Sequence, residues 1–237
     1  MYEEYSRALI QRLAPIASGS QQRTPVLPTL KGLERVEAGL PDWWLAGGNV
    51  LLLPPNSEKP ALECNPHNPP TSAIVALNGL ALPAHVMLWG EAPFIFIGEG
   101  ARMPNAHLFC GDASGIVIAD NTGATWSPWL DARNGGLIYV GPDGLFASNV
   151  RLQTDDMHAI RDAAGQRVNA FGGRIVIERH VWLGDDVLIL GGAHIGSDAI
   201  VGARSVVKGR IEPNTVSAGV PAREVRSNVT WDHRDLP

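Results

Sequence analysis

With 45% apolar and 18% charged side chains, this 237-residue chain is too hydrophobic for a disordered tail, and it has no apolar run near the ~18 residues needed to cross a bilayer. Nineteen basic residues stand against 24 acidic ones, net charge -5, and without a Lys/Arg run there is no electrostatic footprint for nucleic acid or an anionic membrane. Cys64 and Cys110 make no metal-ligand spacing and are expected as reduced thiols.

Residues 1–13 intersperse Glu3, Glu4, Arg7 and Arg12 among apolar positions, unlike a signal peptide, so a cytoplasmic location is expected. Tyr2, Tyr5, Leu9, Leu13 and Ile16 recur at three- and four-residue steps and predict an amphipathic helix over 1–17, ended by Ser18-Gly19-Ser20. Pro25, Pro28 and Pro41 break the stretch that follows, a short helix is expected around Leu33, and Trp43-Trp44 supply an apolar anchor, so residues 1–47 read as a cap. Bursts at 50–53, 73–77, 86–88, 94–97, 116–118 and 137–140 predict strands, and the 26 glycines and 18 prolines suit a turn-rich, all-β architecture.

Further on, Ile177, Leu183, Ile189, Ile195, Val201 and Val207 stand six residues apart without a miss, with small or branched residues four positions after each (Val181, Val187, Ala193, Ala199, Ser205, Ile211). The same phase returns upstream at Val140, Phe146 and Leu152, and at Ile97, Met103 and Phe109. Neither a helix nor a hairpin has period six, and so short a repeat cannot bury its own side chain, so successive turns must stack at the ~4.8 Å strand spacing. A parallel β-helix over 48–220 follows, with a loop inserted at 153–173 where the rhythm fails and a C-terminal tail over 221–237.

Five motifs stand in order over residues 137–231: Asp156-Met157-His158-Ala159-Ile160, Gly165-Gln166-Arg167-Val168-Asn169, Val181-Trp182-Leu183-Gly184, Gly202-Ala203-Arg204-Ser205-Val206-Val207 and Gly219-Val220-Pro221-Ala222-Arg223. Together with the hexapeptide ladder they resemble the hexapeptide-repeat acyltransferases, and within them the sugar and polysaccharide O-acetyltransferases, including the polysialic acid enzymes. The resemblance implies a left-handed hand for the β-helix, a homotrimer with sites between subunits, acetyl-CoA as co-substrate and a sugar or polysaccharide acceptor. It implies catalytic roles for His158 and Trp182, support from Asp156, Arg167 and Asn169, and contacts to the cofactor from Asp185, Gly202, Ala203, Lys208, Arg223 and Arg226. Asp155 replaces the Ser or Thr usual before the Asp-x-His segment, and Lys208-Gly209 stands where related enzymes have Thr-Lys.

The chemistry fits those residue types. A histidine on a loop can take the proton of an attacking hydroxyl, worth roughly 10² to 10⁴ in rate, and an indole N–H can donate to an oxygen or sulfur of the thioester. His67, His85, His107, His180, His194 and His233 carry no such context and read as ordinary residues. An N-acetyltransferase acting on an amino sugar or antibiotic would use the same base. A γ-class carbonic anhydrase needs three zinc-binding histidines; His180 and His194 occupy different hexapeptide positions, no third histidine is in register, and no metal is expected. His180 does have Asp162 and Asp198 at the one-coil spacing of 18 residues. A β-helix scaffold without catalysis would have no need of the Asp-x-His and Val-Trp-Leu-Gly segments.

Overall fold

The six-residue ladder forms the inner wall of a parallel β-helix. Ile177, Leu183, Ile189, Ile195 and Val201 are completely buried and Val207 is nearly so. The computed structural model describes residues 2–17, 25–79 and 83–234. Among these, the strands fall into three sheets of nine, seven and six strands that form the faces of a prism. A regular coil runs from the first sheet to the third, then to the second, as in Leu137–Val140, Leu145–Ser148 and Arg151–Gln153. One coil later Ile177 lies beside Ile195, Leu183 beside Val201 and Ile189 beside Val207, so side chains 18 residues apart stack directly. At ~1.5 to 3 kcal/mol for each fully buried aliphatic side chain, this stack is the main source of cohesion.

The corners carry a second six-residue rhythm. His180, Asp186, Gly192, Asp198 and Arg204 all have φ between 55° and 93°. The hairpin-free turn between faces demands this left-handed conformation, which Gly, Asn and Asp enter most easily.

The helix spans Tyr2–Ala17, and its expected end at Ser18-Gly19-Ser20 lies outside the described residues. Leu9 and Leu13 are buried against the outside of the first sheet, in a cluster with Leu30, Phe94, Phe96, Val117, Tyr139 and Val176. Arg12 lies over the Phe94 ring at 4.5 Å and donates to the Ala92 carbonyl at 2.9 Å. The middle strands of the first sheet, Phe94–Ile97, Gly115–Ile118 and Leu137–Val140, are therefore buried on both sides.

Two expectations need correction. No helix forms around Leu33; the chain turns and makes the two-residue strand Glu34–Arg35, antiparallel to the strand Val50–Leu53. The short helix lies instead at Asp42–Ala46, after Pro41, and delivers Trp44 to the inner core. Phe109 is not an inner-wall residue. The register slips by one, Leu108 points inward, and Phe109 stacks on Trp129 outside at 4.5 Å between ring centroids.

Candidate active site

The rhythm breaks between Arg151–Gln153 on the second sheet and Arg174–Ile177 on the first, so the intervening loop leaves the prism at the corner between these faces. Its base is pinned. Thr154 N donates to the Asp131 carbonyl at 3.0 Å, and Gly173 N returns to the Thr154 carbonyl at 3.0 Å. Gly172 adopts φ +58°, and a β-carbon there would lie 2.2 Å from the Asn134 carbonyl oxygen, so only glycine closes the loop this tightly.

Asn169 cross-links the loop interior. Its side-chain oxygen accepts the Ile160 N–H at 2.8 Å, while its amide nitrogen donates to Asp156 Oδ2 at 3.0 Å and to the His158 carbonyl at 2.8 Å. Arg167 donates from Nε to the Asn169 carbonyl at 2.7 Å and lays its guanidinium over the Phe171 ring at 3.3 Å. His158 itself is exposed, and its backbone N–H donates to the Asp156 carbonyl at 2.8 Å. The loop thus holds the backbone of His158 and leaves the imidazole exposed.

Asp155, the unusual residue beside the expected base, turns back into its own loop: its carboxylate accepts the N–H groups of Met157 and Gly172. Burial pushes its pKa up, but hydrogen bonds from Asn134, Gly172 and Met157 outweigh this and hold the carboxyl below its ordinary value. Beneath the loop lies a cleft of about 470 Å³ lined by Asp155, Asp156, Ile160, Asn169, Arg174 and Lys208 among others. Lys208 reaches it because it sits at the same corner of the prism, just after the second-sheet strand Val206–Val207.

Within one chain, then, the structure gathers His158, Asp156, Arg167, Asn169 and Lys208 at one corner. The other expected residues lie elsewhere. Trp182 faces outward, 40% exposed, on the third sheet beside Leu145 and Ile200. The strand Arg174–Ile177 separates it from the loop's corner, about 13 Å at the usual rise of a strand. Asp185, Gly202 and Ala203 share the corner between the third and second sheets; Asp185 accepts the Ser148 N–H at 2.9 Å, and Gly184 leaves room for Ala203, whose nitrogen a β-carbon would approach to 2.6 Å. Arg223 and Arg226 are exposed on the last strand, Ala222–Ser227, which returns antiparallel along Thr215–Gly219. That return brings in Trp231, which the sequence reading passed over. Its ring lies 6.2 Å from that of Trp182. The only sequence signal for it is the turn at Gly219-Val220-Pro221, after which the chain doubles back.

Comparison with known proteins agrees with this architecture. Residues 174–209 match the bacterial transferase hexapeptide family (six repeats). The chain is 52% identical over 132 residues to the putative lipopolysaccharide biosynthesis O-acetyl transferase WbbJ of Escherichia coli (strain K12), a match covering 56% of this chain and 60% of the relative. It is 35% identical over 134 residues to galactoside O-acetyltransferase of the same organism, covering 56% of this chain and 64% of the relative. The matches thus span less than two thirds of either relative. Among solved structures, that of the polysialic acid O-acetyltransferase OatWY superposes with a TM-score of 0.64 at 24% identity, over 75% of this chain and 89% of that one. Residues 174–209 carry hexapeptide repeats, and the chain has the left-handed parallel β-helix fold. These two relatives are named as a galactoside O-acetyltransferase and a putative O-acetyl transferase of lipopolysaccharide biosynthesis.

Proposed function

We propose that the chain is an acetyl-CoA-dependent O-acetyltransferase that modifies a hydroxyl of a sugar or polysaccharide. The observation that carries this reading is the pinned loop, in which Asn169 fixes the backbone of His158 while the residue stays exposed, and whose Asp156, Ile160 and Asn169 line a cleft shared with Lys208. His158 takes the acceptor hydroxyl proton as that oxygen attacks the thioester carbonyl, and the acetyl group moves to the sugar as the thiolate of coenzyme A leaves and is reprotonated. Lys208 suits an anionic group of the cofactor, and Trp182, through its indole N–H, suits the oxygen or sulfur that gains charge.

Because His158 and Trp182 lie on different faces of one chain, a site containing both must form between copies. The loop also exposes Met157, Ile160, Val168 and Phe171, each more than 40% accessible, an apolar surface suited to a neighbouring subunit. A homotrimer satisfies both conditions, and sedimentation of a stable 25.3 kDa monomer at micromolar concentration would refute it. A cytoplasmic location fits the use of acetyl-CoA. Among the described residues no helix is long and apolar enough to cross a membrane.

The test is thiol release from acetyl-CoA with a panel of sugars, nucleotide sugars, oligosaccharides and aminoglycosides. Release dependent on a sugar hydroxyl, reduced at least ~10²-fold in His158→Ala, supports the assignment. Release only with amines moves the reading to N-acetylation, and a fully active His158→Ala removes the base.

A further inference from the structure

The C-terminal segment builds a second polar centre that owes nothing to the reaction proposed above. Among the described residues, Asp143, His180 and His233 converge so that one ligand atom from each lies within 4.8 Å of the others. Asp143 and His180 occupy the same corner of consecutive coils, between the first and third sheets, both at left-handed turn positions with φ of 63° and 55°. His233 comes from the segment beyond the returning strand. Trp231 sets that segment in place: its ring stacks on His180 at 4.2 Å between centroids, and its indole N–H donates to the His180 carbonyl at 2.8 Å. The expectation of no metal rested on the lack of a third histidine in register. His233 arrives out of register, from 90 residues beyond Asp143.

The hydrogen bonds around His180 turn its Nε2 toward Asp143. Asp198, one coil beyond His180, places Oδ1 2.9 Å from His180 Nδ1. An ionised carboxylate only accepts, so Nδ1 carries the proton and the lone pair of the neutral ring sits on Nε2. That nitrogen faces Asp143 Oδ2 at 3.8 Å, too far for a hydrogen bond. The spacing is close to the ~3.4 Å that separates two ligands each about 2.1 Å from a tetrahedral ion. His233 Nε2 lies 2.9 Å from the other oxygen of Asp143, a hydrogen bond whose proton a bound ion would displace. A carboxylate that orients a histidine for metal binding is the usual companion of such ligands. Asp162, the other carboxylate at the 18-residue spacing, stays in its loop and accepts the N–H groups of Ala164 and Gln166.

We propose that Asp143, His180 and His233 bind one divalent transition-metal ion, zinc by its two-imidazole, one-carboxylate donor set, with water in the fourth position and Asp198 orienting His180. The ion fastens the C-terminal segment to the coil beside Trp182. The purified untagged chain is stripped with a chelator, dialysed, and titrated with zinc by calorimetry, with elemental analysis of the reloaded protein. One zinc per chain and a raised thermal midpoint are expected, and cobalt(II) in its place should give the visible bands of a tetrahedral ion. His233→Ala and Asp143→Asn remove an exposed and a half-buried ligand outside the core, and each should weaken zinc binding at least ~100-fold; Asp198→Asn should weaken it ~10- to 100-fold. His158→Ala should leave it unchanged, which separates this centre from the active-site loop. A wild-type chain that retains no zinc at micromolar concentration, or a His233→Ala chain that binds as the wild type does, overturns the proposal.

Discussion

Asn169→Ala isolates what the loop contributes to positioning. The substitution deletes three hydrogen bonds, to Ile160 N, Asp156 Oδ2 and the His158 carbonyl, that tie the descending limb of the loop to the limb bearing His158. A neutral hydrogen bond nets about 0.5 to 1.5 kcal/mol, and the bond to the carboxylate somewhat more. The residue is half-exposed and water replaces part of this, so we take about 2 kcal/mol as the loss of loop order. That figure corresponds to roughly a 30-fold rise in the ratio of disordered to ordered loop. The ordered fraction falls by at most that factor, so steady-state thiol release should show kcat/KM reduced by up to about 30-fold with an unchanged pH profile, since the base is the same group. The thermal midpoint should move by less than ~2 °C because the loop lies outside the core. A loss of 2 kcal/mol from the whole fold would lower it by ~4 to 8 °C for a chain of this size. A drop of that size, or full activity, would refute the reasoning.

Trp182→Phe keeps an aromatic ring on the third sheet and removes the indole N–H; turnover should fall by up to ~10²-fold, less than in His158→Ala, and wild-type turnover would exclude the donor role. Phe146 is completely buried in the inner wall, and its replacement by Ala should cost about 3 to 5 kcal/mol, read as a thermal midpoint about 10 °C lower by calorimetry; a shift under ~3 °C would mean that the coils collapse to fill the gap. Burial drives the Cys110 thiol up from 9.0 to about 12, and Tyr139, also buried, rises from 10.0 to about 12. Both groups bind their protons more tightly in the folded chain, so their contribution is complete below pH 9 and disappears as pH climbs through 12. For Cys110 it amounts to roughly 4 kcal/mol. Denaturant midpoints compared at pH 8 and pH 11 should fall less in Cys110→Ala than in wild type, and an equal fall would exclude the thiol as a cause.

The strands that the sequence discloses most plainly are those of the first sheet. Phe94–Ile97, Gly115–Ile118 and Leu137–Val140 are buried at every position because the N-terminal helix and the Leu30 region cover their outer side, and two-sided burial writes a continuous apolar run. Second-sheet strands such as Ala106–Cys110 alternate buried and half-buried residues, and Gly123–Trp126 on the third sheet has no buried residue. Their outer faces can also carry aromatic residues, and Phe109, stacked on Trp129, is as apolar as an inner-wall residue, so its character does not disclose its side. In the regular coils the six-residue ladder marks the inner wall from Ile177 to Val207 correctly. The candidate site was legible only locally. Asp156, His158, Arg167 and Asn169 lie within 14 residues and form one hydrogen-bonded unit, and a motif can disclose that. Trp231 and His233 depend on the chain doubling back over a distant coil, and no periodicity records such a return.

A coiled ladder of parallel strands ends in unpaired edges, and an open edge invites another molecule to add to it. This chain blunts most of them. At one end Glu34–Arg35 is a two-residue, charged strand laid antiparallel on the first sheet, and at the other the first and second sheets stop at the two-residue strands Arg210–Ile211 and Val206–Val207. The third sheet would finish on the five-residue strand Thr215–Gly219, the longest terminal edge at that end, and there the chain folds its own Ala222–Ser227 back as a cover bearing Arg223, Glu224 and Arg226. The returning strand therefore replaces an edge of small and apolar residues with one bearing charges of both signs, which resists the addition of another copy at that end.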